Sequence, residues 1–175
     1  MAVYSVLIDK NEIVSKLNYL NAKNILIVAC GGCANESLAY DNNIPIFTNA
    51  PEKDLSQSLK EGLEIPYASK TNMEKIKDYL LEKGYIVRTE LISLSQDSLC
   101  IRKEHKPFTF KSLESFSPDA ILSISCLAGA YGIIKSINKS VPVICIMKSK
   151  GQLSYCYRDD NYGRYIIYEK SAIIT

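Results

Sequence analysis

The segment Asn24-Ile-Leu-Ile-Val-Ala is a continuous aliphatic and β-branched run with no polar alternation. A strand of this kind must be covered on both faces, which is the condition of a parallel sheet flanked by helices. Two further runs repeat it, Ala120-Ile-Leu-Ser-Ile-Ser and Val141-Pro-Val-Ile-Cys-Ile-Met. Between them lie stretches of helical period. Ile13, Leu17 and Leu20 share one face after a capping residue at Asp9 or Asn11. Thr71-Asn-Met-Glu reads as a capping box opening a helix that runs to about Glu82 and stops at Gly84. Tyr85 opens a second strand, and residues 128–137 read as a helix.

A helix is expected first, before any strand. Ile44-Pro-Ile-Phe reads as a short edge strand, and the tail, residues 154–174, contains Tyr165-Ile-Ile-Tyr and Ala172-Ile-Ile as a further pair of strands. Strands alternating with helices imply right-handed crossovers and a three-layer α/β fold, a doubly wound, mainly parallel sheet of Rossmann or flavodoxin type. At 175 residues the chain is sized for one domain, spanning 1–175.

With 21 basic and 19 acidic residues spread evenly, the chain offers no field that would collect nucleic acid or anionic lipid. Its apolar runs are strand-length, far short of the roughly 20 residues that cross a bilayer. No export signal is evident, so a cytoplasmic location is expected. The six cysteines then sit in a reducing compartment, where thiols serve metals, redox chemistry or packing.

Four of them fall at strand ends or in the loops after them. Cys30-Gly-Gly-Cys33 follows the first long strand, Cys126-Leu-Ala-Gly129 follows the third, and Cys100 lies in the loop after the second. In an open α/β sheet these loops line one crevice. Thiolates are soft anionic ligands suited to iron–sulfur clusters and to zinc. Gly31, Gly32 and Gly129 give a bound group room, and helix N-termini beyond Cys33 and Cys126 favour negative charge. The set predicts a metal centre at the carboxyl edge, with an iron–sulfur cluster leading and zinc as alternative.

A redox dithiol using Cys30 and Cys33 is the competing reading. Cys145, inside the fourth strand, reads as an inert packing residue, and Cys156 has no assigned role. His105 is the only histidine, so a Ser/His/Asp triad or a multi-His site lacks material. Glu36 and Asp41 could serve as acid or base, but read better as carboxylates on a helix surface. Neither Gly-x-Gly-x-x-Gly nor a P-loop occurs. Tyr155, Tyr157, Tyr162, Tyr165 and Tyr168 crowd the tail as a docking surface or as self-packing.

The motif Ile25-Leu-Ile-Val-Ala-Cys-Gly-Gly-Cys-Ala34, the strand 85–91, Cys100 with its charged sequel, Asp119-Ala-Ile-Leu-Ser-Ile-Ser-Cys-Leu-Ala-Gly129 and Val141-Pro-Val together resemble one family. It is the MetV-like small subunit and C-terminal-domain family of methylenetetrahydrofolate reductase. The resemblance covers roughly residues 9–150. It implies an accessory subunit carrying an iron–sulfur cluster, 4Fe-4S in type, on Cys30, Cys33, Cys100 and Cys126. It also implies electron transfer with a flavin-containing reductase of one-carbon metabolism; a homo-oligomer is compatible with the sequence. Ser37 stands where the family carries a further cysteine, Leu127 and Ala128 where it carries Gly-Ala, and the Tyr-rich tail replaces its Cys-rich C-terminal region.

Overall fold

The structure, a computed structural model, describes residues 2–42, 47–48, 68–92, 109–137, 141–159 and 165–174. Among them the chain forms two four-stranded sheets. The first is parallel, in the order β4 (Ile86–Ile92), β2 (Asn24–Cys30), β5 (Ala120–Ile124) and β6 (Val143–Cys145). The second is antiparallel, in the order β1 (Ala2–Leu7), β7 (Met147–Asp159), β8 (Tyr165–Ile174) and β3 (Phe47–Thr48). The helices are α1 (Lys10–Tyr19), α2 (Cys33–Asp41), α3 (Ala68–Glu82), α4 (Ser112–Ser115) and α5 (Leu127–Ser136). This is an α/β protein built on a parallel sheet, as the unbroken aliphatic runs require.

β2 is the strand on which the parallel sheet is built. It pairs with β4 along its whole length and with β5 from Ile25 to Ala29, and residues 25–30 are all buried. In β5 every residue is buried as well. Asp119 sets the register where β2 and β5 begin. Its Oδ2 accepts hydrogen bonds from the backbone N–H of Lys23 at 2.9 Å and of Asn24 at 2.8 Å, and from Asn24 Nδ2 at 3.1 Å.

α1 follows the sequence reading. Asp9 caps it by accepting from the Asn11 N–H at 2.7 Å, and Ile13 and Leu17 enter the core. α3 ends as expected, with Gly84 at φ +83° in the left-handed region that glycine adopts freely. Its start differs: the helix opens at Ala68, not at Thr71. The first turn is capped from another helix, where Asn35 Oδ1 accepts from the Ser69 N–H at 3.1 Å. Glu74, expected to close a capping box, instead pairs with Lys77 at 2.8 Å. A cap supplied across 34 residues leaves no local trace.

A strand, β1, comes first, where a helix was expected. It is stabilised by pairing with β7, a partner far along the chain. The run Val141-Pro-Val-Ile-Cys-Ile-Met also divides. Val143–Cys145 joins the parallel sheet, and at Ile146 the chain passes to the other sheet. The Ile146 N–H donates to the Ser123 carbonyl at 3.0 Å, while its carbonyl accepts from the Ile8 N–H at 3.0 Å. Tyr165-Ile-Ile-Tyr and Ala172-Ile-Ile, expected as a pair of strands, lie together in one strand, β8, which runs antiparallel to a long β7 whose end enters the tail. Of the expected edge strand 44–47, only Phe47 lies among the described residues.

The folded state holds the Asp119 carboxyl below the ordinary aspartate value, chiefly through the Asn24 and then the Lys23 backbone N–H groups. A lowered value means this stabilisation is present above the unfolded-state pKa, about 3.9. It is lost as pH falls through the lower folded-state value. Asp119→Ala should therefore lower unfolding stability by on the order of 1 kcal/mol at pH 7. Urea titrations at pH 7 and about pH 3 should find that difference shrinking in acid.

Candidate functional site at the carboxyl edge of the parallel sheet

The order β4-β2-β5-β6 sends the chain from β2 outward to β4, then back across β2 to β5 and on to β6. Chain direction across the sheet therefore reverses between β2 and β5, the place where open α/β sheets hold ligands beyond their carboxyl ends. Cys30 is the last residue of β2, and Cys33 the first of α2. Cys126 caps α5 directly after β5, and Cys145 ends β6. Four cysteines thus stand at or just beyond the ends of three adjacent strands, and none of the four is in a disulfide.

Their sulfurs are not equivalent. Cys30 Sγ accepts from the Gly32 N–H at 3.4 Å, which turns it into its own loop. Cys145 Sγ faces the carbonyls of Ser125 at 3.3 Å and of Met147 at 3.4 Å. Cys126 is the neighbour that acts most strongly on the Cys33 thiol. Cys126 is only 7% exposed, and Cys33 is half-buried.

That influence dominates the electrostatics of the pair. The Cys33 thiol is pushed well above the ordinary thiol value, first by Cys126, then by burial and by the Glu36 charge. A hydrogen bond from the Val3 backbone works in the opposite direction and is outweighed. Burial also raises the Cys145 thiol, with a smaller contribution from Cys126.

α2 carries Cys33 and is enclosed on all sides. Residues 34–39 are all buried, between β1, β2 and α3. Ser37 ties the helix to the second sheet: its hydroxyl accepts from the Ser5 N–H at 3.1 Å and lies 3.1 Å from the Val3 carbonyl and 2.8 Å from the Cys33 carbonyl. Glu36, read from the sequence as a helix-surface carboxylate, is 8% exposed. Asp41 does lie on the surface, where it accepts from the Tyr4 hydroxyl at 2.7 Å and pushes that phenol up to about 12.

Gly31 and Gly32 are buried in the turn, and the Gly31 N–H extends the β2–β4 ladder by donating to the Ile92 carbonyl at 2.8 Å. Gly129 is buried in the first turn of α5. Cys100 and His105 lie outside the described residues, as does Tyr162. Cys156 lies in β7, paired in register with Glu169 of β8. Among the described residues no three His, Cys, Asp or Glu side chains gather closely enough to hold a metal ion. Cys145, read from the sequence as a packing residue inside a strand, is the half-buried last residue of β6.

The chain matches no protein-family model, no curated protein and no solved structure. Among the described residues no helix is long and apolar enough to cross a membrane.

The raised Cys33 thiol has a kinetic consequence, because only the thiolate is nucleophilic. In the metal-free protein near pH 8, iodoacetamide should modify Cys33 slowly. Cys126→Ala removes the largest cause of the shift, so alkylation of Cys33 should accelerate by roughly tenfold or more. Peptide mass spectrometry over a time course reads this directly.

Proposed function

We propose that this edge is a thiolate site for a soft metal centre, an iron–sulfur cluster of 4Fe-4S type, ligated by Cys30, Cys33, Cys100 and Cys126. In this reading the protein is an accessory electron carrier that works with a flavin-containing reductase of one-carbon metabolism. The observation that carries it is the placing of Cys30, Cys33 and Cys126 on the two turns that follow the neighbouring strands β2 and β5, with Cys126 the strongest influence on the Cys33 thiol. The same strand order supports a doubly wound, three-layer arrangement of Rossmann or flavodoxin type. The tie to one-carbon metabolism rests on the sequence resemblance alone.

The donors present suit a thiophilic group. Cys33 and Cys126 supply two sulfurs, and Cys30 would turn from the Gly32 N–H to supply a third. Cys100, in the segment 93–108, would complete the set. Gly31, Gly32 and Gly129 keep the rim free of side chains. When bound, such a cluster supplies a one-electron carrier whose potential depends on burial and on hydrogen bonds to sulfur. The chain itself handles the protons. Cys33 must lose its proton before its sulfur can ligate, so loading should strengthen with rising pH.

Anaerobic purification followed by iron, zinc and acid-labile sulfide analysis, with a visible spectrum, tests this reading. Iron with sulfide is expected in the wild type, lost in Cys33→Ser and Cys126→Ser and kept in Cys145→Ser. Zinc without sulfide would replace the electron carrier by a zinc-stabilised binding module. Absence of both metals would remove the proposal.

A further inference from the structure

We infer that a cleft of about 400 Å³ at the open edge of β4 binds a compact phosphate-bearing anion, held by Lys77, Arg88 and Lys111. Thr89, Ser112 and Ser115 add hydroxyls to its lining, and no carboxylate is among the described residues that line it. The inference goes beyond the metal-binding reading and shares no residue with it.

Strand order creates the cleft. β4 ends the parallel sheet, with β2 on one side and, among the described residues, no strand on the other. The Ile86 N–H donates to the Lys23 carbonyl at 2.9 Å, and the Ile92 carbonyl accepts from the Gly31 N–H at 2.8 Å. Even-numbered residues of β4 therefore turn their backbone groups to β2, while Val87 and Thr89 turn theirs out of the sheet. Side chains alternate between the two faces, so Arg88 and Glu90 share one. Glu90 accepts from the backbone N–H groups of Lys111 at 3.1 Å and Ser112 at 3.0 Å, which ties α4 to the face that Arg88 occupies. α3 also packs against β4 and supplies Lys77. Cations from three places in the chain thus converge on one rim.

A cleft lined by one sign of charge concentrates the opposite ion, even where the whole chain carries a net charge of only +2. The nearby carboxylates already have partners: Glu74 pairs with Lys77 at 2.8 Å, and Glu90 holds the start of α4. An arginine fork matches two oxygens of a phosphate, lysines act as point charges, and hydroxyls donate to the remaining oxygens. The volume falls within the range of about 300–1,000 Å³ typical of small-molecule sites. With α3 and α4 flanking the edge, a compact anion fits better than an added peptide strand.

Inorganic diphosphate is the probe, titrated into the full chain at low salt and followed by calorimetry and amide NMR. Saturable binding is expected, with the Thr89 and Ser112 amide signals moving. Arg88→Ala should weaken binding roughly tenfold or more, and Lys111→Ala should weaken it several-fold. Lys148→Ala, which removes a cation paired with Glu12 at 3.1 Å, should bind as the wild type does. Arg88 and Lys111 are exposed, so both variants should keep the fold, which circular dichroism checks. Glycerol phosphate, titrated beside inorganic phosphate, separates the sources: tighter binding assigns the cleft to an organic phosphate, and equal binding assigns it to the free ion. The inference is overturned by a lack of saturable binding at millimolar diphosphate, or by undiminished binding in Arg88→Ala. A tetraglutamate peptide that moves the same signals where diphosphate does not would also overturn it, assigning the edge to strand addition.

Discussion

The burial of β2 is the constraint from which the rest follows. With residues 25–30 out of water and hydrogen-bonded on both edges, this strand exists only if β4 and β5 lie alongside it and its two faces are covered. Parallel neighbours force every connection to travel back across the sheet before the next strand starts. Each carboxyl end then falls on the same edge. Cysteines distant in the chain meet there because topology leaves them no other place, and the Asp119 clasp at the opposite edge fixes the register that brings them level.

The second sheet is more than an appendage to that arrangement. β1 runs against α2, and Ser5, Val3 and Ser37 form a short polar network at their contact. Ser37 and Ser5 are both buried, so a break in this network would leave polar groups without water. The helix that presents Cys33 is thus held from one side by the parallel sheet and from the other by β1. Because β1 depends on β7 for its pairing, the position of Cys33 depends on residues some 120 places away in the chain, as the pairing of Val3 with Gln152 illustrates.

Much of this was legible in the chain wherever the signal was local. Residues 24–30 and 120–124 announce buried strands by their composition, Asp9 announces a helix start, and Gly84 a helix stop. β1 was missed because its stability lies in a partner strand near the other end of the sequence. The burial of Glu36 was missed for a related reason: a helix enclosed on all sides has no polar face, and α2 accordingly lacks the one-sided periodicity that locates a core. At the site, the alignment of Cys30, Cys33 and Cys126 could be inferred from topology. Which way each sulfur turns could not, since that depends on single hydrogen bonds, from the Gly32 N–H to Cys30 and from the Cys145 thiol to the Ser125 and Met147 carbonyls.

The electrostatics of the Cys33 thiol show why this edge would respond to a bound cation. Two helices begin here, and each N-terminus favours a nearby anion by about 0.3–1 kcal/mol when exposed. Burial acts against them, since an unpaired anion taken out of water costs several kcal/mol. The Cys33 thiol is raised first by Cys126, then by burial, with Glu36 adding negative charge nearby. A cation or a metal cluster would change that balance by supplying the positive charge that the helix ends are too weak to provide.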